Sequence, residues 1–396
     1  MNIGVFAYCD ILIICDLCTA KTAIVIKTQK RMKKILLASF CLCGALAAHA
    51  APAAAAVQPA EAVAETVAAE PPAGELEARV EALDRRTSAW GKIVSNLPRI
   101  SGYAQLGYQW DNNSLDHGSN SSFSVMSVRL SLAGDLGRKF DYKVQLEFAS
   151  FKLIDAFVRY KIAPGFSLQA GQFHTNFSLE GPFGALDMEA ITYAPVVSVI
   201  AGTPDSRDIG LAAYGAAGRR DGFNLFEYSL GVFNGEGKNK ADANKSKDIV
   251  GRVKINPVKD LTLSGSYSRG EHGESYVHND RVAGGVWYHS DTFWARSEYL
   301  GLTQKAGGTT AHVDGAYLTA GCWVGSKREH CPLARFSYMD NGLGGSYVQQ
   351  TELLVGYDYK PLKHLRVQLN YAHSWFSDGA AKHNNNIVGV AVTGSF

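Results

Sequence analysis

From Arg99 to the end of the chain, apolar and polar residues alternate with a period of two. In Asp141–Phe148, Tyr142, Val144, Leu146 and Phe148 alternate with Lys143, Gln145 and Glu147. In Leu365–Trp375, Leu365, Val367, Leu369, Tyr371 and Trp375 alternate with Arg366, Gln368, Asn370, Ala372 and Ser374. Ser122–Leu132 is noisier at first and settles into the pattern by Val128. Period two means strand. Strands of roughly ten residues, apolar on one side and polar on the other, mark a transmembrane antiparallel β-barrel rather than a soluble sandwich, whose strands are shorter. Sixteen such segments fit between Arg99 and Phe396, an even number of the kind bacterial barrels use. The prolines of this region (Pro164, Pro182, Pro195, Pro204, Pro257, Pro332 and Pro361) are expected in connections, because proline cannot donate to a ladder. Short turns are expected at Asp135–Arg138, Ala163–Gly165, Asn256–Asp260 and Lys360–His364. Longer loops are expected at Asp111–Ser121, Gly235–Lys247, Gly270–Asp280 and Phe376–Asn386. Short periplasmic turns and long outer loops are what such barrels show.

The segment before the barrel follows other rules. Met32-Lys33-Lys34, the apolar run Ile35–Ala48 and Ala48-His49-Ala50 form a charged start, a hydrophobic stretch and an A-x-A cleavage site. We read residues 32–50 as a signal peptide and 1–31 as an extension upstream of the start. A lipoprotein signal fits poorly, since Cys41 follows Phe40 and Cys43 follows Leu42. Residues 51–74 hold eleven Ala and four Pro with no Lys or Arg, the composition of a flexible linker. In 75–90, Leu76, Val80 and Leu83 have the spacing of one coiled-coil seam. So short a helix either assembles with copies of itself, rests on something larger, or frays.

Removing residues 1–50 changes the charge and cysteine counts. The whole chain carries a formal net charge of +2. The mature chain carries 33 basic and 35 acidic residues, so nothing points to nucleic acid. Of seven cysteines only Cys322 and Cys331 remain, as one disulfide closing the connection Val324–His330 or as two free thiols. No run of about 18 uncharged apolar residues suggests a helical span. The low charged fraction, 19%, and the aromatic fraction, 11%, suit a barrel in lipid.

Side chains opposite the apolar faces should point into the lumen. The basic ones are Arg129, Lys143, Arg159, Lys161, Arg252, Lys254, Arg281, Arg296, Arg335 and Arg366. The acidic ones are Glu147, Asp155, Glu227, Glu298, Glu352 and Asp358, leaving four positive charges in excess. Either that excess gives a mild anion preference, or most of the charges pair across strands. Arg129, Arg159, Arg252, Lys254 and Arg296 are the foremost candidates for anion contact, arginine because its planar fork pairs with phosphate oxygens. The long aperiodic segment Asn176–Arg207 is expected to fold inward as a constriction, with Glu180, Asp187, Glu189 and Asp205 against Arg207. Acidic residues there, facing basic walls, would set up a transverse field. No G-x-S-x-G, H-E-x-x-H or P-loop is present, so an enzyme is the weaker alternative, beside a structural or adhesive barrel with a plugged lumen. No cofactor or metal is implied.

Two stretches carry a family resemblance. One is Leu153-Ile154-Asp155-Ala156-Phe157-Val158-Arg159-Tyr160; the other is Gly171-Gln172-Phe173-His174-Thr175-Asn176-Phe177-Ser178-Leu179-Glu180, with a return at Arg207-Asp208-Ile209-Gly210. They resemble the phosphate-selective porin O and P family, in which a GQFKTPFSLE-like strand end precedes the inward loop. Leu186–Gly202 is most similar to the variants found in Bacteroidota. His174 and Asn176 replace the usual Lys and Pro. The terminal Phe396, on one face with Val388, Val390 and Val392, resembles the assembly signal of Gram-negative outer-membrane barrels. The resemblance implies a sixteen-stranded homotrimeric porin in outer-membrane lipid, folded by the barrel-assembly machinery and passing small anions or other small solutes.

Overall fold

The computed structural model describes residues 81, 97–112, 121–202, 206–343, 348–377 and 382–396. The expectations for 1–31, 32–50, 51–74 and, apart from Glu81, 75–90 lie outside the described residues. The strands are β1 (Arg99–Asp111), β2 (Ser121–Leu136), β3 (Phe140–Glu147), β4 (Lys152–Ala163), β5 (Phe166–His174), β6 (Arg207–Arg220), β7 (Phe223–Phe233) and β8 (Asp248–Val258). They continue as β9 (Leu261–His272), β10 (Val277–His289), β11 (Phe293–Ala306), β12 (Thr309–Cys322), β13 (His330–Asn341), β14 (Gln349–Leu362), β15 (Leu365–Ser377) and β16 (Lys382–Ser395). One short helix, α1 (Pro195–Ile200), lies between β5 and β6.

Each strand pairs with its sequence neighbour, and β1 pairs antiparallel with β16, so the sheet closes on itself. Closure leaves no unpaired edge, as hydrocarbon requires. The alternation read from sequence is the inside and outside of this wall. On β11, Trp294, Arg296, Glu298 and Leu300 are buried, while Phe293 and Tyr299 are exposed. On β13, Arg335 and Ser337 are buried, and Phe336 and Tyr338 are exposed. Charged residues inside and large apolar residues outside invert the plan of a water-soluble core.

Two expectations are corrected, and one of the two cysteine alternatives is the one present. Pro257, Pro332 and Pro361 lie within β8, β13 and β14 and not in connections. The ladder tolerates them where it is already broken: register shifts fall between Ile255 and Val258 and between Tyr359 and Leu362. Pro332 pairs with Tyr357 on β14, just beyond the last β12 pair, Leu333–Gly321. The loops expected at Gly270–Asp280 and Phe376–Asn386 shrink to 273–276 and 378–381, because both strand pairs run on. Cys322 and Cys331 are free thiols. Cys331 shares the inward face of Arg335, and Cys322 shares the outward face of the exposed Leu318. The thickness of the sheet separates them.

Phe396 finishes the closure. It exchanges backbone hydrogen bonds with Gly102 of β1, at 3.0 and 3.2 Å. A Cβ at Gly102 would lie 2.6 Å from the Arg129 carbonyl and 2.8 Å from the Phe396 ring. Gly102→Val should therefore destabilise the barrel by about 1–3 kcal/mol, seen as a lower temperature for loss of the folded band in SDS gels. Mass spectrometry after alkylation of unfolded protein comprising residues 51–396 should count two free thiols with or without reductant.

Candidate functional site

Residues 175–202, between β5 and β6, fold into the barrel and are fastened to the far wall. The Thr175 amide donates to the Ser206 carbonyl at 2.9 Å, closing the neck of the loop. The Ser178 hydroxyl and Leu179 amide each donate to Glu298 of β11 at 2.8 Å. Glu180 accepts from Arg296 at 3.0 Å and from the Ala194 amide at 2.8 Å, so one carboxylate holds both limbs of the loop. Arg296 also reaches Glu189, at 3.3 Å.

Two more arginines repeat the device. Arg335 donates to the Thr192 carbonyl at 2.6 Å and to Glu352 at 2.8 Å. Arg366 donates to the Ala185 and Leu186 carbonyls at 3.1 and 3.0 Å and to Asp358 at 2.8 Å. Gln368 donates to the carbonyls of Met188 and Glu189, and Asn370 accepts from the Ile191 amide. Above these contacts Val197 and Ile200 of α1 join Leu300, Leu302, Val313, Tyr317 and Met339 in an apolar cluster. A guanidinium fork suits this work, because one side can take a wall carboxylate while the other takes a loop carbonyl.

All ten predicted bases face the lumen side, but most are neutralised. Arg296, Arg335 and Arg366 are no more than 6% exposed and clamp the loop. Arg129 meets Glu147 at 3.1 Å, and Lys143 and Arg207 both meet Asp155, at 2.7 and 2.6 Å. Arg281 meets Asp248 at 3.2 Å. Arg159 donates to Gln169 and lies 3.9 Å from Asp141, while Lys161 meets Asp135 and Asp141, both at 3.1 Å. Among the described residues, Arg252 and Lys254 on β8 have no carboxylate within 4.0 Å. Arg252 donates to the Ser178 carbonyl at 3.1 Å.

Of the acidic residues expected along the edge of the loop, two are turned to the wall. Glu180 is fully buried and Glu189 mostly so, both turned toward Arg296. Asp187 is exposed, its carboxylate accepting from the Gly184 amide at 3.3 Å. Asp205 lies outside the described residues. Asn176, where the family pattern has proline, takes a φ of 59°, which proline cannot adopt. Its amide donates to the Tyr214 hydroxyl at 3.3 Å.

Because the loop lines one wall, space remains beside the other. A cavity of about 540 Å³ lies between Tyr103, Gln105, Ser127 and Arg129 of the wall and Gly184, Met188, Ile191 and Thr192 of the loop. A second, of about 610 Å³, lies against β4–β8 toward the short turns and holds Arg159, Lys161, Tyr214, Glu227, Arg252 and Lys254. A third, of about 630 Å³, lies at the long-loop end and gathers Lys152, Lys238 and Lys240 beside Glu236. These three lysines escaped the sequence reading, because two sit in a loop whose position the alternation does not define. In that loop, Lys247 and the Asn244 amide beside Asp242 hold its carboxyl below the usual carboxylate range.

A closed barrel with an apolar exterior, a charged interior and an infolded loop is the architecture that porins have. Residues 99–284 match the family model described as phosphate-selective porin O and P. The match runs from β1 into β10, and the chain is an outer-membrane porin channel. The anion-selective porin of Comamonas acidovorans has a similar fold, at 16% identity and a TM-score of 0.60 over 76% of this chain and 99% of that one. In-vitro folded OmpT of Vibrio cholerae matches at 12% identity and 0.57, over 76% and 97%. OmpF of Salmonella typhi matches at 12% identity and 0.56, over 76% and 98%. No curated protein sequence matches significantly.

Arg296→Met would leave Glu180 buried without its cation. It should cost about 3–5 kcal/mol, read as a lower urea midpoint in vesicles, with noisier single-channel current as the loop loosens.

Proposed function

We propose that this porin passes small hydrophilic solutes by passive diffusion with a mild preference for anions. The observation that supports the reading is the open pair Arg252 and Lys254: they face the lumen without a carboxylate partner within 4.0 Å among the described residues. Lys152 and Lys240 at the long-loop mouth add positive field along the same path. The clamped arginines add little, since a paired buried charge presents almost no net field to the water beside it. The reading is a general small-anion preference and not a dedicated phosphate filter, because the remaining bases form no continuous ladder.

The channel works in the outer membrane as a homotrimer, in keeping with the V. cholerae OmpT described in trimer form. In this reading residues 32–50 direct export, the segment before the barrel lies in the periplasm, and Phe396 is read by the barrel-assembly machinery. The chain acts as a channel and carries out no chemistry.

The test is the zero-current potential of the purified channel in a planar bilayer across a KCl gradient. The wild type should show an anion-side potential, and Arg252→Gln/Lys254→Gln should move it toward zero, more so at low salt. A cation-side potential in the wild type would overturn the reading.

A further inference from the structure

The bay against β4–β8 is chemically more varied than a small inorganic anion calls for. Its volume of about 610 Å³ is that of a small-molecule site, for which about 300–1,000 Å³ is usual. The strand register sets its side chains in two rows. Ser167, Tyr214, Ser229 and Arg252 are cross-strand neighbours from β5 to β8, and Ala216, Glu227 and Lys254 form the next row. Arg252 and Lys254 stand two residues apart on β8, about 6.6 Å along the strand.

Glu227 lies directly opposite Lys254. Its Oε1 accepts from the Asn224 amide group at 3.1 Å. Among the described residues no cation comes within 4.0 Å of it. Tyr214 adds an aromatic ring, with the Arg159 guanidinium 5.9 Å from its centroid, and Pro164 and Phe166 add apolar lining.

A site that selected charge alone would gain nothing from Glu227, which weakens the field of Arg252 and Lys254 on a bare anion. A carboxylate among bases has a different use: it accepts strong hydrogen bonds from hydroxyl groups. We propose that this bay is a binding station for polyhydroxylated anions, a sugar phosphate being the test case. Arg252 and Lys254 hold the anionic group. Glu227, with the Ser229 hydroxyl, takes the sugar hydroxyls, and the Tyr214 ring and Phe166 cover the apolar edge of the sugar. Glu227 is then the residue that separates a sugar phosphate from bare phosphate. The inference rests on the anion-preferring channel proposed above and names its substrate class.

The experiment is block of chloride current through the purified channel, titrated with inorganic phosphate, glucose and glucose 6-phosphate. In the wild type, glucose 6-phosphate should act at concentrations about tenfold below phosphate, the worth of one charge-assisted hydrogen bond, and glucose should act more weakly than either. In Glu227→Gln a negative charge leaves, so phosphate should block more strongly, while glucose 6-phosphate loses its margin over phosphate. Arg252→Gln/Lys254→Gln should weaken block by both anions. Phosphate blocking as well as glucose 6-phosphate in the wild type overturns the proposal whether or not any variant folds. So does a Glu227→Gln channel in which both anions strengthen by the same factor, which would make Glu227 a neutralising charge only. Absence of anion preference in the KCl gradient is a separate result and removes the reading on which the inference rests.

Discussion

A charge shut away from water must be paired, and the rest of this barrel depends on how Arg296 meets that requirement. It stands on the inner face of β11 with almost none of its surface exposed, and its partners, Glu180 and Glu189, come from the infolded loop. Glu180 in turn accepts from the Ala194 amide, fourteen residues on, so the pairing of one guanidinium fixes the width of the loop. Arg335 and Arg366 then bind the carbonyls of Thr192, Ala185 and Leu186, and the loop has no freedom to stand across the lumen. Breaking any of these contacts would strand a buried charge or carbonyl, which is the costly case.

The passage follows from that fastening. With the loop drawn against β11–β15, the free space lies beside Tyr103, Gln105, Ser127 and Arg129, and the loop offers Met188, Ile191 and Thr192 to it. Among the described residues the narrowing is bounded by neutral groups, by Lys152 and Lys238 and by an Arg129–Glu147 pair, while Glu180 and Glu189 are turned away from it toward Arg296. The proposed ion preference rests on Arg252 and Lys254 farther along, which have no carboxylate within 4.0 Å among the described residues. A charge count over lumen-facing residues overstates what a passing ion meets, because it gives a clamped arginine the same weight as an open one.

The fold was largely legible in the sequence because a period of two is a local property. It assigned Arg296, Arg335 and Arg366 to the inner face, where they are. It could not assign their partners. Glu180 lies 116 residues from Arg296, and Ala185 lies 181 residues from Arg366, in a segment with no period of its own. The same limit explains Lys238 and Lys240, which only the placement of their loop brings to the mouth. The prolines misled for a related reason: Pro257 and Pro361 sit at register shifts, and where a ladder breaks depends on the neighbouring strand and not on the proline. Cys322 and Cys331 were close in sequence, but the parity of each on its own strand put them on opposite faces.

Anomalous diffraction from crystals of the channel grown in bromide tests the central claim most directly, since it shows which bases an anion can reach. The account predicts bromide beside Arg252 and Lys254 and none against Arg296, Arg335 or Arg366. Bromide along those three arginines, with the loop displaced from them, would contradict it.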